Sequence, residues 1–206
     1  MRIDGPRLAW VVMAFGLLGS ATAYAQTDVS GSVYGAITQD ANGNASTAHQ
    51  ADAVGGMVGV RHISNPFVGY EATYSFNRAN QTDSTTNGVC GLVCGPLPPT
   101  TVSANEHEVS VDWVASLKVA NFRPFALAGM GVLVFSPSGQ PVNFNANTIT
   151  KPAFVYGVGA NWGLAPHVGV RLQYRGNLYK APQFEFTPTG ATTNQSEVAI
   201  GVYFRL

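Results

Sequence analysis

With 11 basic and 11 acidic side chains among 206 residues, the chain has zero formal net charge, and its 11% charged content is under half of the roughly 25% usual in soluble domains. No basic stripe is available to displace counterions from phosphates, which argues against nucleic acid as a partner. Twenty-three glycines together with 11% aromatics favour strands and turns over helices.

At the N-terminus, Arg2 and Arg7 precede an apolar run over residues 8–18, and small residues follow up to Ala23-Tyr24-Ala25. Charged, apolar and A-x-A segments in that order are the layout of a secretory signal peptide. The run is shorter than the about 20 apolar residues that a spanning helix needs. Residues 1–25 are therefore expected to be a cleaved signal peptide, and residues 26–206 a mature domain in an oxidising compartment.

Past Ala25 an apolar residue recurs at every second position in eight segments, the period of a β-strand whose two faces meet different surroundings. The first four sets are Val29, Val33 and Ile37; Val54, Val58 and Val60; Val68, Tyr70, Ala72, Tyr74 and Phe76; and Val109, Val111, Trp113 and Leu117. The next three are Phe125, Leu127, Leu133 and Phe135; Phe154, Tyr156, Val158 and Trp162; and Val168, Val170, Leu172, Tyr174 and Leu178. The last is Val198, Ile200, Val202, Phe204 and Leu206, and glycines such as Gly31, Gly35, Gly56, Gly129 and Gly131 fill gaps on these faces. No set contains Asp, Glu, Lys or Arg.

Short turns at 64–66, 118–121 and 163–166 alternate with long polar connections at 39–53, 77–105, 136–151 and 179–195. Short turns at one end and long loops at the other are the asymmetry of an outer-membrane barrel. The expected fold is all-β: an eight-stranded antiparallel up-and-down transmembrane β-barrel with all eight apolar faces turned to lipid and the last strand paired with the first. Closing the sheet pairs every backbone group where no water can. Phe67, Phe125, Trp162 and Phe204 at one end, with Phe76, Phe135, Phe154 and Tyr174 at the other, would form the two aromatic girdles.

Facing the lumen, on this reading, are Arg61, Arg171, Arg175 and Arg205 against Glu71, Glu108, Asp112 and Glu197. Charges in so narrow a space are costly unless paired. Arg61 and Arg205 fall near the short turns, Glu71, Asp112 and Arg171 near the middle, and Arg175, Glu108 and Glu197 toward the loops. Arg171 is expected to pair with Asp112 or Glu71 and so to block a continuous water path. Elsewhere, Glu106-His107-Glu108 reads as a solvated mouth. Cys90 and Cys94 read as a local disulfide worth roughly 2 kcal/mol; a zinc site completed by His49 or His107 finds too little support in a lone C-x3-C. No catalytic residues, metal or cofactor are expected.

The segment GVRHISNPFVGYEATYSF (59–76) and the terminal AIGVYFRL, with the signal peptide and eight alternating strands, resemble the small outer-membrane β-barrel proteins of the OmpA transmembrane-domain and OmpX type. The resemblance implies outer-membrane lipid as surroundings and a final strand read by the barrel-insertion machinery. That signal usually ends in Phe or Trp; Leu206 departs from it, while Tyr203 and Phe204 keep aromatic character. The peptidoglycan-binding domain that follows the barrel in OmpA is not expected here.

His62, Ser64 and Asn65 have a His-x-Ser-Asn spacing similar to that of the lipid A deacylase barrels, where His activates Ser against a lipid ester. They fall at a short turn, at the end opposite the outer leaflet that such a site must face, so a strand end and turn is the expected role. The function expected is a non-catalytic envelope role or presentation of the long loops to an extracellular partner, with a lipid A-modifying enzyme or a narrow pore as alternatives.

Overall fold

The computed structural model describes residues 26–43, 46–65, 67–85, 100–139, 147–182 and 190–206. The expected signal peptide (1–25) and disulfide (Cys90, Cys94) lie outside these residues.

Ten strands follow in order: β1 (Gln26–Thr38), β2 (Ala41–Gly43), β3 (Ser46–Gln50), β4 (Ala53–Asn65), β5 (Val68–Thr85), β6 (Thr100–Ser116), β7 (Phe122–Gly139), β8 (Ile149–Gly163), β9 (Val168–Lys180) and β10 (Thr192–Arg205). Setting aside the short β2 and β3, the other eight pair in the order β5-β4-β1-β10-β9-β8-β7-β6, and β5 also pairs with β6, which closes the sheet. Every pairing is antiparallel, and β10 joins β1 from Asp28↔Arg205 to Thr38↔Gln195.

The stagger of the barrel follows from the register. Stepping sideways from Asp28 leads through Arg61, Glu71, Asp112, Gly129, Val155, Asn177 and Gln195 back to β1 at Thr38, ten residues beyond the start. With a rise of about 3.3 Å and strands about 4.8 Å apart, ten residues over eight strands tilts the strands by about 40°. An eight-stranded barrel is just wide enough for its own side chains to fill.

At the short-turn end, Val119 and Phe122 exchange backbone hydrogen bonds of 2.8 and 2.9 Å around Ala120-Asn121. Ala120 there has a φ of 53°, the left-handed backbone that tight hairpin turns require. At the other end the strands run further than composition suggests. The segment 39–53, expected as a loop, contains the β2–β3 hairpin, which lies against the end of β5, and β5, β6 and β7 extend to Thr85, Thr100 and Gly139. Alternation shows only where one face meets hydrocarbon. Beyond it the outward face is polar, yet the ladder continues, with Thr82 and Thr101 hydroxyls 3.0 Å apart and Ser103 donating to Asn80 at 2.6 Å, while Ala79, Val102 and Ala104 stay buried on the inner face.

Seven of the eight apolar sets look outward, and the set on β7 does not. Phe125, Leu127, Leu133 and Phe135 are buried inside the barrel, whereas Met130, on the other face, is 72% exposed. This corrects the expected face of that strand and removes Phe125 and Phe135 from the girdles. The cause is that β7 is apolar on both sides: Ala126, Ala128, Met130 and Val132 line the outer face, so a period of two cannot say which is which. Gly129 also points inward, where a Cβ would collide with the Val111 carbonyl and the Asp112 carboxylate. By contrast Gly31, Gly35 and Gly56 open onto free space outside.

The core is the lumen. One apolar layer near the short turns contains Ile63, Val114, Phe125, Leu127 and Val155, and another near the loops contains Val102, Leu133, Phe135 and Tyr179. Closed barrels of this kind resist detergent. Unheated protein on a dodecyl sulfate gel is expected to run apart from boiled protein; equal mobility together with a helical circular dichroism spectrum would contradict the fold.

Candidate functional site: the charged lumen

Between the two apolar layers lie the charged side chains, in two groups. In the lower group, toward the short turns, Arg61 on β4 and Glu71 on β5 are direct cross-strand partners, and the Arg61 Nε donates to Glu71 Oε2. Arg171 reaches the same oxygen from β9: its Nη1 donates to Glu71 Oε2 at 3.2 Å and to Ser30 Oγ at 3.0 Å, while its Nε donates to Asn161 Oδ1 at 3.0 Å. The Arg61 guanidinium lies 3.8 Å from the centre of the Phe125 ring. One carboxylate thus sits between two guanidiniums, all three side chains being at most 3% exposed.

In the upper group Arg175 Nη2 donates to Glu108 Oε1 at 2.8 Å and stands 3.3 Å from Asp112 Oδ2. The Ser110 hydroxyl accepts from Arg175 and donates to Asp112 Oδ2 at 3.0 Å. Asn177 Nδ2 bridges Glu108 at 2.7 Å and Glu197 at 3.3 Å. From there Gln195 links Glu197 to the Tyr179 hydroxyl, which lies 3.0 Å from Gln195 Oε1 and 3.2 Å from Gln50 Oε1. Gln50 donates in turn to Glu106 at 2.8 Å, so the β2–β3 hairpin ties into the top of the network.

Of the two partners expected for Arg171, the structure brings it to Glu71, and Asp112 goes to Arg175. Arg205 lies at the rim, its side chain 30% exposed. Glu106 and Glu108 are not a solvated mouth: both are buried in the lumen, while His107 between them faces out against Tyr74, whose hydroxyl is 2.9 Å from its Nδ1. Asp28, Glu106 and Arg123 are among the described charged residues that turn inward unforeseen. Asp28 and Glu106 have the parity of residues already placed inside, which could have identified them; Arg123 shares the face of Phe125 and was hidden by the reversal of β7.

His62 is exposed on the outer face, where its Nδ1 is 3.0 Å from Thr27 Oγ1 on the neighbouring strand, at the end that carries the short turns. Among the described residues no cluster of His, Cys, Asp and Glu has the geometry of a metal site.

The outer membrane protein beta-barrel domain family matches this sequence over residues 11–205. The chain belongs to that family. As a member of the outer membrane protein β-barrel domain family it is an integral protein of the bacterial outer membrane, and its exposed apolar faces meet lipid. Solved barrels have the same fold. OprG from Pseudomonas aeruginosa aligns with a TM-score of 0.63 at 9% identity, covering 89% of this chain and 97% of that one. Neisserial surface protein A aligns at 0.57 and 11% identity, covering 88% and 98%. Ail of Yersinia pestis, solved with the heparin analogue sucrose octasulfate, aligns at 0.52 and 11% identity, covering 88% and 99%. A search of curated proteins found no match.

Proposed function

We propose that this protein is a non-catalytic outer-membrane barrel with a plugged lumen, whose extended loop-end strands present a surface to an extracellular partner. The observation that carries this reading is the bridging of the lumen by Arg171, which spans from β9 to Glu71 on β5 and Ser30 on β1. With Arg175, Glu108 and Asp112 stacked above it, ion-paired side chains cross the lumen at two levels. A lumen so filled is a support, and binding specificity then belongs to the β2–β3 hairpin and the projecting ends of β5, β6 and β7. The final strand supplies the contact for the barrel-insertion machinery, through outward Phe204 and its neighbours.

Conductance in planar bilayers tests the plug. Native protein is expected to conduct negligibly, and Arg171→Ala to open a measurable path by removing the side chain that crosses to Glu71. A large native conductance unchanged by Arg171→Ala would favour a pore and overturn the reading. A lipid-modifying activity has a separate readout, the mass of lipid A from cells with and without the protein; a missing acyl chain would contradict the non-catalytic role.

A further inference from the structure

At the short-turn end of the barrel a cavity of about 550 Å³ opens between the β6–β7 and β8–β9 turns. Lys118, Arg123 and Arg205 line it with positive charge, and Tyr203, Leu164 and Pro166 give it an apolar side. Ser116 faces Phe125 and Val119 faces Phe122, so the register sets Lys118 directly across from Arg123 on the inner face. Like charges in that position repel and destabilise a hairpin. Neither forms an ion pair among the described residues.

Arg205 is also incompletely matched. It faces Asp28 across the β1–β10 seam, yet its Nε remains 3.9 Å from Asp28 Oδ1 and has no hydrogen-bond partner, and Arg123 Nη1 is likewise buried without one. Asp28, the carboxylate facing this group, accepts instead from Gln26. Deeper in, Arg61 and Arg171 share the single Glu71, so the field at the cavity stays positive.

The geometry points to a binding site for a phosphate-type dianion at the short-turn mouth, held by Arg123 and Arg205 with Lys118 at the rim. Guanidinium forks match phosphate oxygens in pairs, and an ammonium adds a point charge. A phosphomonoester carries about −1.5 to −2 charges at neutral pH, enough to relieve the repulsion between Lys118 and Arg123. Tyr203 and Leu164 leave room for an apolar substituent on the anion.

Phenyl phosphate titrated into protein folded in detergent micelles, where both mouths meet solvent, tests the site by calorimetry and by backbone amide shifts. Saturable binding is expected, with shifts concentrated at 118–123 and 163–166. Affinity is expected to fall at least tenfold in Arg123→Gln, several-fold in Lys118→Gln, and with rising salt. Lys180→Gln, at the opposite end, is expected to change nothing. Should Arg123→Gln not fold, Lys118→Gln on the exposed turn decides alone. Absence of saturable binding, shifts confined to the loop end, or unchanged affinity in Lys118→Gln would overturn the assignment.

Discussion

Replacing Glu71 with alanine is expected to destabilise the folded barrel by about 3–5 kcal/mol, the cost of leaving a buried charge without its partner. Glu71 is the carboxylate that both Arg61 and Arg171 touch, and all three are buried. Its removal strands two guanidiniums whose other contacts are the Phe125 ring, Ser30 and Asn161, none of which carries a charge. Urea unfolding of protein reconstituted in lipid vesicles measures the effect as a shift in midpoint at constant slope. The compensated variant Glu71→Ala with Arg61→Met and Arg171→Met is expected to recover much of the loss, because it replaces the two stranded guanidiniums with apolar side chains that need no partner. A change below about 1 kcal/mol in the single variant would show that the cluster behaves as a solvated surface pair.

The second large effect lies on the opposite face. Ile200→Arg is expected to cost about 2–4 kcal/mol, the penalty for a guanidinium facing lipid near the midplane. Ile200 is an outward residue of β10, opposite Val33 and Leu172, five positions from Arg205 at the strand's end. At about 2.5 Å of height per tilted residue it sits about 12 Å above the short turns, near the middle of an apolar band about 25 Å tall. Val54→Arg, equally outward but near the start of β4, reaches the far interface and is expected to cost about 0–1 kcal/mol. Equal costs at the two positions would contradict the depth assigned to the strands.

Legibility from sequence tracked how unlike the two faces of a strand are. On β4, Val58 and Val60 alternate with Gly59 and Arg61, and the lipid face is plain. On β7, Phe125-Ala126-Leu127-Ala128 offers a choice between large and small apolar groups, and size misleads: small residues face lipid, while large ones fill the lumen beside Gly129 and Gly131. The inward parity of Arg61, Glu71, Arg171 and Arg175 was readable strand by strand. Their partners were not, since the stagger that brings Arg171 to Glu71 and Arg175 to Asp112 belongs to the closed sheet and to no single segment. The ends of β5 and β6 were illegible for a different reason: above the bilayer the outward face meets water and need not be apolar, so Thr101 and Ser103 beside buried Val102 and Ala104 leave no sustained apolar stripe to read.

The seam between β1 and β10 sets the timing of assembly. Asp28 meets Arg205 and Thr38 meets Gln195, so this row of contacts links the two extremes of the folded domain. Such pairings pay nearly the full loop-closure entropy before any of their hydrogen bonds form, and they slow folding accordingly. Until β10 is in place, β1 and β9 are raw edges, and in hydrocarbon an unpaired edge forfeits several kcal/mol per backbone group. The nascent sheet therefore cannot enter the membrane strand by strand unaided. It must either arrive as one closing unit or have its two edges covered by something else until the final strand is delivered.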